Sequence, residues 1–255
     1  MRPSLAIFTL FAGMLLFLTS CQPLSRLFDR QEPVEPVGDQ HYYELDNELE
    51  KDPVIEEWLL PYRESLDHEF DERIVSLMGS LELWRGGRPV GTLGFLAADM
   101  IRFRAAHLHQ EYVHLGLINH ESLRAEFRDG ELTLQNLYEL MPSDQTLVIL
   151  TLTGEQVVEL SREIAEKGGA PVSGMRMSIS DGEPRGVLVN AEVVEKDRTY
   201  KLATTSFLAN RGGFASITEP IDRIEFPVLI RDLFRDYLMD RNYIEPLFDH
   251  RIRTL

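Results

Sequence analysis

Residues 146–169 read TLVILTLTGEQVVELSREIAEKGG, and this stretch decides the fold class. The first seven residues, Thr146 to Leu152, are a run rich in Val, Ile and Thr, the composition of a buried strand. Thr153 and Gln156 then stand at capping-box spacing, so the strand turns directly into a helix. That helix runs to about Lys167, and Gly168-Gly169 supplies its stop.

The same alternation extends in both directions. Upstream, residues 74–84 are apolar and strand-like and end at Gly86-Gly87, residues 93–106 read as a helix, and residues 113–118 as a strand. Downstream, residues 172–180 and 186–195 flank a turn containing Asp181-Gly182 and read as a hairpin. Residues 200–207 read as another strand. Residues 228–240 read as the last helix, with Leu229, Leu233 and Tyr237 on one face. Strands and helices in mixed order predict an α+β fold, a mixed α/β sheet with flanking helices.

The folded region starts at Asp52-Pro53, an N-cap followed by proline at the first helical position. Val54, Trp58, Tyr62, Leu66 and Phe70 recur every four residues, a helical stripe over 52–72 with Pro61 as a point where it could break. Such a stripe needs an apolar surface to cover it, on its own domain or on a separate chain.

The chain has 255 residues, 26 Lys and Arg against 42 Asp and Glu, and a net charge of −16. Its 44% hydrophobic and 27% charged content is that of a globular domain with a real core. The single Cys excludes an internal disulfide. The acidic balance argues against a nucleic-acid binder, which needs a basic surface. Between Gln31 and Arg73 there are 15 acidic and 3 basic residues, most of the whole imbalance. With Pro23, Pro33 and Pro36, that composition reads as a solvated spacer, or else as an interaction tail.

At the N-terminus, Arg2 precedes an apolar run over residues 5–18. About 14 residues are too short for a comfortable span of about 20, and they fit a secretory signal. Leu18-Thr19-Ser20-Cys21 resembles the bacterial lipobox, which implies a lipidated Cys21 and a membrane tether. An uncleaved anchor, or an ordinary signal with an incidental Cys, is the alternative. The expected organisation is a lipoprotein signal peptide over 1–20, an acidic tether over 21–51 and a domain over 52–255.

Local chemistry is sparse. His107, His109, Glu111 and His114 crowd one stretch, yet two His at i and i+2 share a metal on a strand and not on a helix. The bland reading is an exposed helix end or loop. The sequence carries no Gly-x-Ser-x-Gly elbow, no Walker motif and no dinucleotide-binding glycine pattern.

A series of motifs in order, however, resembles one family. Leu93-Gly94-Phe95-Leu96-Ala97-Ala98-Asp99-Met100-Ile101-Arg102 is similar to the Leu-Gly-Asn-Leu-Ile-Ala-Asp-Ala-Met-Arg helix of the 5'-nucleotidase C-terminal domain. Asn119-His120-Glu121-Ser122-Leu123-Arg124 stands where that family has Asn-x-Gly-Gly-Ile-Arg. Asp129-Gly130-Glu131-Leu132-Thr133 and Leu137-Tyr138-Glu139-Leu140-Met141-Pro142 follow, then Leu150-Thr151-Leu152-Thr153-Gly154 and Val172-Ser173-Gly174-Met175. Asp197-Arg198-Thr199-Tyr200 and the segment from Ala203-Thr204 to Ala209 complete the order.

The resemblance implies a nucleoside-recognition domain that works beside a two-metal phosphoesterase domain in nucleotide hydrolysis. Only about 30 residues separate the signal from the first helix, so the expectation is a freestanding recognition domain, not active alone. It would be lipid-anchored in the bacterial envelope, at the periplasmic or outer-membrane face, and partnered by a separately encoded metallophosphoesterase. No cofactor or catalytic residue is expected in this chain, and divalent metals only in that partner.

By the same resemblance the ligand contacts fall on Asn119, Arg124 and the stacking ring Phe207. Three loops depart from the family. Gly-Gly becomes Glu121-Ser122, which would crowd a ligand and repel a phosphate. Pro-Phe-x-Asn becomes Pro142-Ser143-Asp144-Gln145, losing one ring. Gly-Gly-Asp-Gly becomes Gly212-Gly213-Phe214-Ala215, where Phe214 could replace the lost ring. The departures support an alternative: a non-catalytic envelope protein that keeps the fold and has lost the nucleotide. A third reading, an autonomous enzyme built on His107, His109 and His114, rests on that cluster alone.

Overall fold

The computed structural model describes residues 52–83 and 89–255. The signal, Cys21, the acidic tether and Gly86-Gly87 lie outside the described residues.

Helix α1 (Pro53–Phe70) opens the described chain, and Asp52 caps it, its Oδ1 accepting from the Val54 amide at 2.8 Å. The helix passes through Pro61 without breaking. Its stripe stays uncovered: Trp58, Tyr62 and Leu66 are exposed, and Phe70 alone among them is half-buried, 5.0 Å from the Tyr138 ring. The compact unit that holds the rest of the fold begins inside this helix, at Glu57.

The elements after α1 are β1 (Arg73–Leu77), α2 (Thr92–His109), β2 (Leu115–Leu117), β3 (Gly130–Thr133), α3 (Leu134–Leu140), β4 (Thr146–Thr153) and α4 (Gly154–Glu166). Then come β5 (Val172–Ser173), β6 (Met175–Ser180), β7 (Glu183–Val189), β8 (Glu192–Val193), β9 (Thr199–Thr205) and α5 (Ser206–Arg211). The chain closes with β10 (Asp222–Leu229), α6 (Ile230–Met239), β11 (Tyr243–Ile244) and β12 (Ile252–Thr254).

The mixed sheet is five-stranded, in the order β10-β4-β9-β2-β5, with β2 and β9 parallel and the other pairs antiparallel. A four-stranded sheet, β12-β6-β7-β8, and a three-stranded one, β11-β1-β3, complete the fold. Strand β4 is buried on both faces, which is why its sequence is a continuous apolar run. Leu147 and Ile149 face a core shared with α2, α3 and α6. Val148, Leu150 and Leu152 face a second core shared with α4 and β6. Helix α4 packs there through Val157, Leu160 and Ile164, and its capping box is formed, Thr153 Oγ1 accepting from the Gln156 amide at 3.1 Å.

Four expectations are corrected. Strand β1 stops at Leu77, and beyond it Leu81 makes one isolated bridge to Phe127. Residues 172–180 are two strands in two sheets, because Gly174 at φ 78° turns the chain; a Cβ there would lie 2.0 Å from the His114 carbonyl. The strand predicted over 200–207 ends at Thr205, whose hydroxyl accepts from the Leu208 amide and starts α5, so Phe207 is helical. Val228 and Leu229 belong to β10, and the last helix begins at Ile230.

The C-terminal segment is tied to α2 by a buried ion pair. Arg251 donates to Asp99 Oδ1 and Oδ2 at 2.7 and 2.9 Å and also bonds Asp249. Burial disfavours the guanidinium charge, but the two carboxylates outweigh it and hold the Arg251 pKa above its ordinary value.

Candidate functional site

The loop after β2, the end of α4 and the segment from α5 to Phe214 meet around a cavity of about 540 Å³. Asn119, Glu121, Lys167, Phe207, Gly213 and Phe214 line it, with His120 and Leu208.

Asn119 enters on extended backbone (φ −84°, ψ 150°) and leads a 3-10 turn over His120–Ser122. Its amide is held at both ends: Oδ1 accepts from Ser122 Oγ at 2.6 Å, and Nδ2 donates to Glu121 Oε2 at 3.1 Å. Ser122, expected to crowd a ligand, turns inward. It is 5% exposed, hydrogen-bonded to Gln145, and absent from the cavity wall. Neither Glu121 nor Ser122 has a positive φ, so the glycines of the family pattern are not required here.

Glu121 does line the cavity. Its pKa lies below the ordinary carboxylate value, chiefly through its own backbone amide, with Asn119 and the charges of His120 and Lys167 adding to this against partial burial. Lys167 stands on the same wall, its Nζ 5.4 Å from the Phe214 ring centroid, so Glu121 does not face the cavity as a lone charge. Burial, opposed by Glu121, pushes the His120 pKa down.

Two rings reach the cavity. Phe207, in the first turn of α5, is 38% exposed, and the Arg211 guanidinium lies 5.8 Å from its centroid. Phe214 is buried. Gly212 at φ 76° and Gly213 at φ 124° end α5 and bring the chain back to it. Glu163, one turn before the end of α4, fixes the next residues: Oε1 accepts from the Ala215 amide at 2.6 Å, and Oε2 from Ser216 Oγ at 2.5 Å.

Of the residues predicted for the site, Asn119 and Phe207 are brought together. Arg124 is not. It is exposed, outside the cavity wall, and anchored by its amide, which donates to the Leu140 carbonyl at 2.8 Å. Among the described residues its guanidinium has no ion-pair partner. Lys167 escapes a sequence reading of the site because its place before Gly168-Gly169 reads only as a helix end.

The histidine-rich stretch is organised around an ammonium. Helix α2 runs to His109, so His107 and His109 are two apart on a helix. Lys201 Nζ lies 2.6 Å from His109 Nε2 and bonds Glu111, which lowers the Glu111 pKa. His114 Nδ1 accepts from the Lys201 amide at 3.0 Å, and burial pushes its pKa down. Among the described residues no three His, Cys, Asp or Glu side chains are grouped to hold a metal. Nor is any described helix long and apolar enough to cross a membrane.

A cavity walled by two rings, a cation and an amide can stack a planar heterocycle and hold an anionic substituent. A family model for the 5'-nucleotidase C-terminal domain matches residues 75–219, more than half of the chain. A 5'-nucleotidase of Vibrio vulnificus is 24% identical over 195 residues, 74% of this chain and 34% of that protein. Among solved structures, a 5'-nucleotidase precursor from Thermus thermophilus superposes with a TM-score of 0.68 at 23% identity, covering 79% of this chain and 43% of that one. The NAD nucleotidase of Haemophilus influenzae gives 0.61 at 15% identity, over 83% and 42%. The chain thus spans about a third of the curated relative's length.

Proposed function

The chain belongs to the 5'-nucleotidase C-terminal domain family, and from that premise we propose that it recognises a nucleoside or nucleotide in nucleotide hydrolysis. The observation that carries the reading is the shared cavity of Phe207, Phe214, Lys167 and Asn119. A base stacks against the rings, and Lys167 offsets Glu121 so that an anionic substituent is tolerated. Hydrolysis itself belongs, on this reading, to a separately encoded metallophosphoesterase with its own divalent metals.

Calorimetric titration with AMP and adenosine tests the reading. Saturable binding supports it, and absence of heat with both ligands overturns it. Mixing with a candidate phosphoesterase tests the partnership: activity beyond that of the two chains apart supports it, and no gain counts against it.

Tethering in the bacterial envelope through a lipidated Cys21 is part of the same proposal. It is supported by the apolar run and the small residue before the only Cys. Incorporation of labelled palmitate, lost in Cys21→Ala, is the expected result; equal labelling of that variant removes the anchor from the proposal.

One observation favours the alternative of a fold that has lost its ligand. The Asn119 amide is committed to Ser122 and Glu121, and Arg124 stands off the cavity. On that reading neither ligand binds, and Phe207→Ala changes no binding activity.

A further inference from the structure

A second cavity, about 560 Å³, shares no residue with the first. Its wall holds an arginine fixed in place through Nε, with both Nη groups unspent. Arg102 Nε donates to Ser173 Oγ at 2.7 Å, and its guanidinium lies 4.4 Å from the Phe103 ring centroid. Among the described residues its two Nη groups have no hydrogen-bond partner. Phe103 stacks in turn on Tyr237, centroids 6.2 Å apart at 19°, and the Arg241 guanidinium covers the Tyr237 ring at 3.3 Å.

Tyr237 is the second, independent observation. It is 9% exposed and lines the cavity, yet its hydroxyl makes no hydrogen bond among the described residues. The ring is buried, but the hydroxyl keeps solvent access at the cavity wall and is free to bond a ligand there. Burial raises its pKa, with Asp99 adding to this and Arg241 and Arg102 opposing, so at neutral pH it is a donor.

The charge at the cavity sets the ligand class. Arg102, Arg176 and Arg251 face Asp99 and Asp249, and both aspartates are spent on Arg251. One positive charge is left over, enough for a monoanion; a dianion would also meet the two aspartates. Met175, Leu188 and Leu247 supply an apolar wall.

We propose that this cavity binds a small monoanionic organic carboxylate, its oxygens taken by the Arg102 Nη groups and the Tyr237 hydroxyl and its carbon body laid on Met175, Leu188 and Leu247. A guanidinium already oriented by Ser173 and Phe103 loses little freedom on binding. The inference does not rest on the nucleotide reading.

Titration of the full chain with benzoate at neutral pH tests it. The expected result is saturable one-to-one binding, with benzamide and inorganic phosphate each at least about ten-fold weaker. Tyr237→Phe, which removes only the hydroxyl, weakens benzoate by about 3–10-fold, and Arg102→Met by about ten-fold or more. Phe207→Ala, in the other cavity, tells the two sites apart: benzoate binding lost in that variant and kept in Arg102→Met belongs to the first cavity and overturns the proposal. Absence of saturable benzoate binding overturns the proposal, as does equal affinity in the Tyr237 and Arg102 variants. Preference for phosphate overturns the ligand class. Circular dichroism checks each variant's fold, and Tyr237→Phe carries the test if Arg102→Met does not fold.

Discussion

Arg251, near the C-terminus, grips both carboxylate oxygens of Asp99, in the middle of α2, at 2.7 and 2.9 Å across 152 positions of sequence. The two side chains are 9% and 17% exposed, so little of either charge is solvated by bulk water. Ser173 adds a further donor to Asp99, and the Phe95 ring lies 4.8 Å from the guanidinium.

Removing one partner leaves the other buried and unpaired. Arg251→Ala is therefore expected to cost about 3–5 kcal/mol, read from urea denaturation. Less than about 1 kcal/mol would place the pair in the class of exposed ion pairs.

At the first cavity, Phe207→Ala is expected to weaken adenosine or AMP by about 1–3 kcal/mol, the usual worth of a base stacked on a ring. Because Phe207 is 38% exposed, the melting temperature should move little. Titration and a thermal melt on the same sample separate the two effects.

Glu163 touches no ligand in this picture, yet it holds the Ala215–Ser216 backbone beside Phe214. Glu163→Gln should cost about 1–3 kcal/mol of stability through the weakened, formerly charged hydrogen bonds. It should also lower nucleotide affinity by freeing Phe214. Unchanged affinity in a destabilised variant would mean that the loop keeps its place without the carboxylate.

His114 and His120 give stability a slope with pH. Burial holds both below the usual 6.5, so on acidification the unfolded chain takes up protons first. Stability from this source is complete above about pH 6.5 and is lost as pH falls through the lower folded values. Melting temperatures at pH 7.5 and 5.5 should differ in that direction, and His120→Gln should flatten the difference.

What the sequence discloses follows from where each signal lies. Strand β4 and helix α4 are legible because every cue, from the Val-Ile run to the Thr153–Gln156 box, is local. Strand β10 is not: Asp222-Arg223-Ile224-Glu225-Phe226-Pro227 carries charges and a proline, the dress of an edge strand, and it is indeed at the edge. The switch from β9 to α5 has no glycine or proline to mark it, only the Thr205 cap. The cavity is half visible in the sequence. Asn119 and Phe207 follow from the family order and Phe214 from its place after Gly212-Gly213, whereas Lys167, 47 positions from Phe214, becomes its neighbour only through the fold.

Strand β4 carries one last consequence. Because alternate side chains of a single strand serve the two cores, neither core can open without withdrawing Leu147 and Ile149, or Val148 and Leu150, from the other. Helices on opposite sides of the sheet are coupled through that shared backbone. The domain should therefore melt as one cooperative unit, with calorimetric and van't Hoff enthalpies in agreement.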